Sequence, residues 1–172
     1  MEENQPKTGT FSLNYGLILG GLSVAFGVML FLQDAHTSQS SANQIIGIVM
    51  MAAVVFWGIY SFKKANQGYL TIGEALKLGT GIALISAIVY IVYLLILSNL
   101  LDPDFALKVA EAQKAAAEEA GTASPEQIQQ QYDGTINYFW ITYPIILIFN
   151  IVIGLVLGLI SGLILKKSKP AY

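Results

Sequence analysis

Residues 75–100 read ALKLGTGIALISAIVYIVYLLILSNL, and this stretch decides the fold. After Lys77 it carries no charged residue up to Leu100. A hydrocarbon core of about 30 Å needs about 20 apolar residues in a helix, so the segment is long enough to cross a bilayer. Working outward, residues 11–32, 44–62 and 138–165 are also uncharged, apolar and of spanning length. The last is long enough to tilt or to run beyond the hydrocarbon. These readings predict a single all-α domain: an integral membrane bundle of four transmembrane helices over residues 1–172. A small extracytoplasmic helical hairpin is expected at about residues 101–137, between helices three and four.

Composition agrees. Hydrophobic residues make up 55% of the 172 and charged residues 12%, with a mean hydropathy of +0.60. An ordinary soluble domain is about a quarter charged, so lipid is the expected solvent. There is no room for a second folded domain. The chain has no cysteine, which excludes disulfides, thiolate metal sites and cysteine nucleophiles. One histidine, His36, cannot build a zinc site that needs several nitrogen or sulfur ligands. All nine basic residues are lysine, so the bidentate fork that clamps phosphates is missing. A net charge of −2 gives no reason to expect a nucleic-acid partner.

The lysines set the orientation, because cytoplasmic flanks carry the excess of positive charge. Lys7 precedes the first span; Lys63, Lys64 and Lys77 lie between the second and third; Lys166, Lys167 and Lys169 follow the fourth. The opposite side holds only Lys108 and Lys114, among Asp102, Asp104, Glu111, Glu118, Glu119, Glu126 and Asp133. Both termini are therefore expected in the cytoplasm of a bacterial inner membrane. The sequence opens with Glu2 and Glu3 rather than a basic region, so the first span is expected to remain as an anchor rather than be cleaved. Trp57 and Trp140 read as interfacial anchors.

Between the spans, local chemistry predicts helix ends. Thr71 with Glu74 three residues later forms a capping box at the start of span three, and Glu74 and Lys77 share a helical face on which they could pair. A proton-coupling role for Glu74 is the sharper alternative. Asp102 followed by Pro103 predicts a helix start, Gly121 a stop, and Ser124-Pro125-Glu126-Gln127 a second capped start running to about Tyr132. His36 reads as an incidental loop residue, and the acids of the external segment as a solvated surface.

Inside the membrane, Gly16 and Gly20 in span one, followed by Gly21 and Gly27, and Gly154, Gly158 and Gly162 in span four predict faces where helix backbones approach closely. Asn150 lies mid-span, so its amide is expected to face the bundle, with Ser86, Tyr90 and Tyr93 as candidate partners. Structural glue is the first reading of that polar group and a small-ligand pocket the second. Pro144 is expected to bend the outer third of span four. No charged residue lies centrally in any span, and no two-fold repeat is visible; both count against an ion-coupled transporter.

The start of span three, Leu70-Thr71-Ile72-Gly73-Glu74-Ala75-Leu76-Lys77-Leu78-Gly79, its continuation Gly81-Ile82-Ala83-Leu84-Ile85-Ser86 with Tyr90 and Tyr93, and Asp102-Pro103-Asp104-Phe105 together resemble the DUF4199 family of small bacterial membrane proteins. The resemblance runs from about Asn14 to Lys167. It implies the four-span fold and no particular chemistry, because that family has no assigned activity. The expected function is a non-enzymatic accessory or structural membrane protein, with no cofactor and no metal. Its expected partners are the lipid bilayer and another membrane protein or a second copy of itself. A small transporter or channel subunit is the alternative. A membrane enzyme with a metal held by Asp102, Asp104 and Glu111 ranks last, because no nucleophile or base accompanies them.

Overall fold

The structure is a computed structural model that describes residues 6–121 and 123–168. Glu2 and Glu3, used above for the uncleaved anchor, and Lys169, used for orientation, lie outside the described residues. Among the described residues six α-helices follow one another: α1 (Thr8–Leu32), α2 (Ser41–Ala65), α3 (Ile72–Ile96), α4 (Phe105–Ala120), α5 (Pro125–Asn137) and α6 (Thr142–Leu165). A π-helical turn, Leu97–Leu101, extends α3, and a 3-10 turn, Phe139–Ile141, leads into α6. Four helical stretches are long and apolar enough to cross a membrane: Thr8–Leu32, Ser41–Ala65, Ile72–Leu101 and Phe139–Leu165. Three of the four begin about a turn earlier than the apolar runs alone suggest, because polar residues such as Thr8, Ser41 and Glu74 still fit a helix outside the hydrocarbon.

In water, large side chains go inside; along α6 the order is inverted. The buried residues of α6 are Gly154, Gly158, Ser161 and Gly162, while Ile148 and Leu163 stay more than half exposed. Lipid removes the incentive to bury large apolar groups, so small residues that permit close approach take the interior. The core is α3, which lies between α1 and α6. Along the parallel α1–α3 contact, a methyl group on Gly16, Gly20 or Gly27 would meet Ile85, Val89 or Tyr93 at 2.6, 2.7 and 2.8 Å. Along the antiparallel α3–α6 contact, one on Gly158 or Gly162 would meet the Ala75 carbonyl oxygen or the Ala75 Cβ, each at 2.8 Å. Gly154 sits against Ala83 and Gly79. Gly21 has open space around it and takes no part.

α2 is packed only over its second half. Met51, Val54, Val55, Gly58, Ile59 and Phe62 are buried, and no residue before Met51 is. Beside them Phe11 meets the Phe62 ring edge-on at 5.4 Å, fixing the start of α1 against the end of α2. Leu70 and Lys167 exchange two backbone hydrogen bonds of 3.0 and 2.9 Å, tying the α2–α3 loop to the end of α6. The chain therefore has a termini end, where these contacts sit, and a hairpin end with α4, α5 and the loop between α1 and α2.

α4 and α5 pack against each other as predicted, with different boundaries. Gly121 closes α4 in the left-handed conformation (φ 61°), donating to the Ala117 and Glu118 carbonyls. Ser124 and Gln127 form the capping box of α5, and that helix runs on to Asn137 rather than stopping at Tyr132. α4 begins at Phe105, with Asp104 at its N-cap, so Asp102 does not cap it. Pro144 falls in the first turn of α6, where no intrahelical N–H bond exists to lose, so the expected bend has no cause there.

Candidate functional site

Two constructions at the hairpin end hold polar groups away from water. The first is built on Asp102. The π-turn ends with the Asp102 amide donating to the Leu97 carbonyl at 2.8 Å, which turns the chain and brings the Asp102 carboxylate inward. Asp102 is 6% exposed. Its carboxylate accepts two hydrogen bonds from Lys108 Nζ, 2.8 Å to Oδ1 and 2.9 Å to Oδ2, and lies 2.9 Å from His36 Nε2. The Lys108 hydrogen bonds, then the one from His36, hold the Asp102 carboxyl below its ordinary value, against the opposing effect of desolvation. The same contact raises Lys108 above its usual value. Because Asp102 is ionised, Nε2 is the protonated nitrogen of His36 and donates.

His36 is thus not an incidental loop residue, as the sequence suggested. Its side chain is 6% exposed, stacked on Phe105 at 5.8 Å and edge-on to Phe31 at 5.0 Å. Its Nδ1 is buried with no hydrogen-bond partner among the described residues. Phe105 continues the aromatic chain to Phe139 at 5.7 Å, and Phe139 to Tyr143 at 6.0 Å. The α1–α2 loop, the start of α4 and the start of α6 therefore meet in one buried knot. Two residues 66 apart in sequence join in it, and no local pattern announces such a pair.

The second construction is a cavity of about 490 Å³ beside the unpacked half of α2, bounded by α1, α3 and α6. That volume falls within the roughly 300–1,000 Å³ of small-molecule sites. Asn150, Ser86 and Tyr90, singled out in sequence as a polar group, all line it, together with Ser23. They do not bond to one another. Asn150 Nδ2 donates instead to the Ile146 carbonyl of its own helix at 2.8 Å. Tyr93, the other candidate partner, packs on Gly27, with its hydroxyl buried and unpaired. Counted from the hairpin end of the spans Phe139–Leu165 and Ile72–Leu101, Asn150 and Ser86 lie about 17 and 22 Å along, deep in any bilayer these helices cross. His36 lines the opposite, shallow end.

At the termini end, Thr71 and Glu74 form the predicted box. The Glu74 carboxylate accepts from the Thr71 amide and hydroxyl, both at 2.8 Å, and Thr71 Oγ1 accepts from the Glu74 amide at 3.2 Å. Lys77 makes no ion pair with Glu74, whose carboxylate is already turned back toward the cap. The sequence reading missed several packing glycines: Gly58 against Ile82 and Tyr15, Gly81 against Ser12, and above all Gly79, whose missing Cβ leaves room for the Gly154 carbonyl and for Gly158. Ala75, Gly79, Ala83 and Ala87 recur every four residues, and that repeat was the available signal. Among the described residues no three His, Asp or Glu side chains come together, so Asp102, Asp104 and Glu111 do not gather as a metal site.

Fold and sites define an all-helical protein with four membrane-length helices, a helical hairpin on one end and a cavity between the helices. The sequence model of the family described as a protein of unknown function (DUF4199) matches residues 14–167, nearly the whole chain, and the protein belongs to that family. No curated protein and no solved structure matches it.

Proposed function

We propose that this is a non-enzymatic accessory protein of a bacterial cytoplasmic membrane, with both termini inside and the α4–α5 hairpin presented outside. The observation that carries this reading is the knot of buried His36, Asp102 and Phe105, closed from outside by the exposed Lys108, which fixes the hairpin to the membrane-length helices. A hairpin held so firmly can transmit position and force to a partner. Its outer surface offers the exposed acids Glu111, Glu118, Glu119, Glu126 and Asp133, which suit a basic surface on another membrane protein. The lysine distribution supports the orientation.

Because the chain has no cysteine, single substitutions test the orientation cleanly. Ala116→Cys should react with an impermeant maleimide on intact cells, and Ser168→Cys only after lysis; the reverse pattern would overturn it. The accessory reading predicts one stoichiometric heterologous partner after mild-detergent purification from the native membrane, released when Glu118 and Glu119 are both changed to Lys. A lone monomer or homo-oligomer of unchanged size would remove its support.

The cavity supports a second reading, a small transporter or channel subunit, since it reaches the middle of the long helices. That reading predicts a solute flux in proteoliposomes that Asn150→Leu abolishes. Absence of flux across a broad panel of solutes would count against it.

A further inference from the structure

The cavity holds more polar capacity than the protein itself uses. Asn150 can give only its NH₂ to the Ile146 carbonyl, so Oδ1, an acceptor, is what faces away from that bond. The hydroxyls of Ser23, Ser86 and Tyr90, which line the same cavity, have no hydrogen-bond partner among the described residues. Ser86 is 5% exposed, and the cavity is the open space its side chain lines. In helices placed in lipid, unpaired polar groups at this depth are costly, and the bilayer offers nothing to satisfy them. Around this deep polar group the walls are apolar, Leu19, Phe26, Met51, Phe149 and Ile153, while the shallow end is lined by the polar His36, Ser38, Ser40, Asn43 and Gln44. No Asp, Glu, Lys or Arg lines the cavity.

Each candidate occupant can be weighed against that lining. A phospholipid tail would cover the apolar walls and leave four polar side chains facing hydrocarbon. Water would satisfy the polar groups and leave the apolar walls wet. An anionic or cationic head would enter a deep site with no counter-charge. A neutral head that both donates and accepts satisfies both surfaces: it gives a proton to Asn150 Oδ1 and takes one from Tyr90 or Ser86. A ketone or quinone head lacks the donor that Asn150 Oδ1 requires; a hydroxyl has both. Met50 and Met51, flexible and polarizable, suit a wall that closes on a variable tail.

We propose that the cavity is a binding site for an uncharged, hydroxyl-headed amphiphile, a phenol or long-chain alcohol, held head-first against Asn150, Ser86 and Tyr90 with its tail along the unpacked half of α2. This goes beyond the accessory reading and does not depend on it.

The test is native mass spectrometry of the full-length protein in detergent, titrated with 4-octylphenol, octylbenzene or 4-octylbenzoate. One 4-octylphenol per chain is expected, with octylbenzene and 4-octylbenzoate each at least about tenfold weaker, the value of one well-made hydrogen bond. Asn150→Leu should lower 4-octylphenol to the octylbenzene level and leave octylbenzene unchanged; Ser86→Ala and Tyr90→Phe give the same reading should the leucine variant not fold. Gly47→Phe, placed where open space surrounds the glycine at the cavity wall, should abolish binding of both neutral probes in a folded protein. Equal binding of 4-octylphenol and octylbenzene would make the cavity a lipid-tail groove and overturn the proposal. Preference for 4-octylbenzoate, or no stoichiometric binding of 4-octylphenol, would also overturn it.

Discussion

At Gly79 and Gly158 two helices touch backbone to backbone, whereas at the other end of the molecule the hairpin hangs on side chains, His36, Asp102 and Lys108. The first kind of contact is dry, repeats every four residues and tolerates no added atom. The second is polar, joins segments distant in sequence and depends on charge. The cavity lies on the hairpin side of this division, next to the half of α2 that the glycine-packed core does not reach. Close backbone contact thus supplies rigidity at the termini end, and the looser arrangement opposite leaves space for a ligand and a place for a hairpin.

The strongest way to break this comparison is to enlarge a glycine in the core. Gly158→Leu drives a side chain into the backbone of Ala75 and Leu76, which cannot retreat without moving α3 away from α6. We expect a loss of about 3 kcal/mol or more, above the usual range for overpacking because the obstacle is main chain. Unfolding in mixed micelles checks this, with Gly21→Leu as the control on an open face, expected to change little. Unchanged stability of the Gly158 variant would remove the backbone-contact argument.

A smaller effect is expected at the hairpin end. Asp102→Asn keeps the size of the side chain, but Lys108 loses its carboxylate and the buried His36 loses the charge that orients it. Leaving the His36 N–H poorly paired costs about 1–3 kcal/mol. The damage should be local: amide exchange should quicken in α4 and α5 and not along α3. The pH dependence follows the same contact. The folded carboxyl of Asp102 titrates below its unfolded value, so its contribution is present above about pH 3.9 and disappears as pH falls through the lower folded value. Lys108 is shifted up, so its contribution is present below its ordinary value of 10.5 and disappears as pH rises through the raised one. Through Asp102, hairpin protection should therefore loosen in acid, and that acid limb should vanish in Asp102→Asn. An acid limb that survives the substitution would assign it to other carboxylates.

This division also explains what the sequence made legible. Features set by residues three or four apart, namely the Thr71 and Ser124 boxes, the Gly121 stop and the glycine faces of α1 and α6, were readable because one helix turn contains all the geometry they need. The partner face on α3 was equally readable from Ala75, Gly79, Ala83 and Ala87, but alanine is so common in helices that the repeat is easily passed over. Asp102 was misread because Asp-Pro is a sound local signal for a helix start; a contact with His36 across the fold outweighed it. The placement of Asn150, Ser86 and Tyr90 in one cavity followed from polarity in an apolar span. Their lack of mutual bonds did not, because it depends on where α2 stops packing.

The finest test of the comparison lies at the start of α3. If the termini end is held by backbone contact and not by charge, Lys77→Ala should leave stability within about 0.5 kcal/mol, as for a solvated surface residue. Thr71→Val removes the hydroxyl that caps the Glu74 amide and should cost about 1 kcal/mol. Glu74→Gln separates structure from proton chemistry. A glutamine at this position still accepts from the Thr71 amide, as Gln127 does from Ser124 in the box that begins α5. It cannot carry a proton on and off. A folded Glu74→Gln protein that keeps the proposed partner and the proposed cavity binding would identify Glu74 as a cap. A variant that folds normally and loses either property would show that the carboxylate has chemistry beyond holding the first turn of α3.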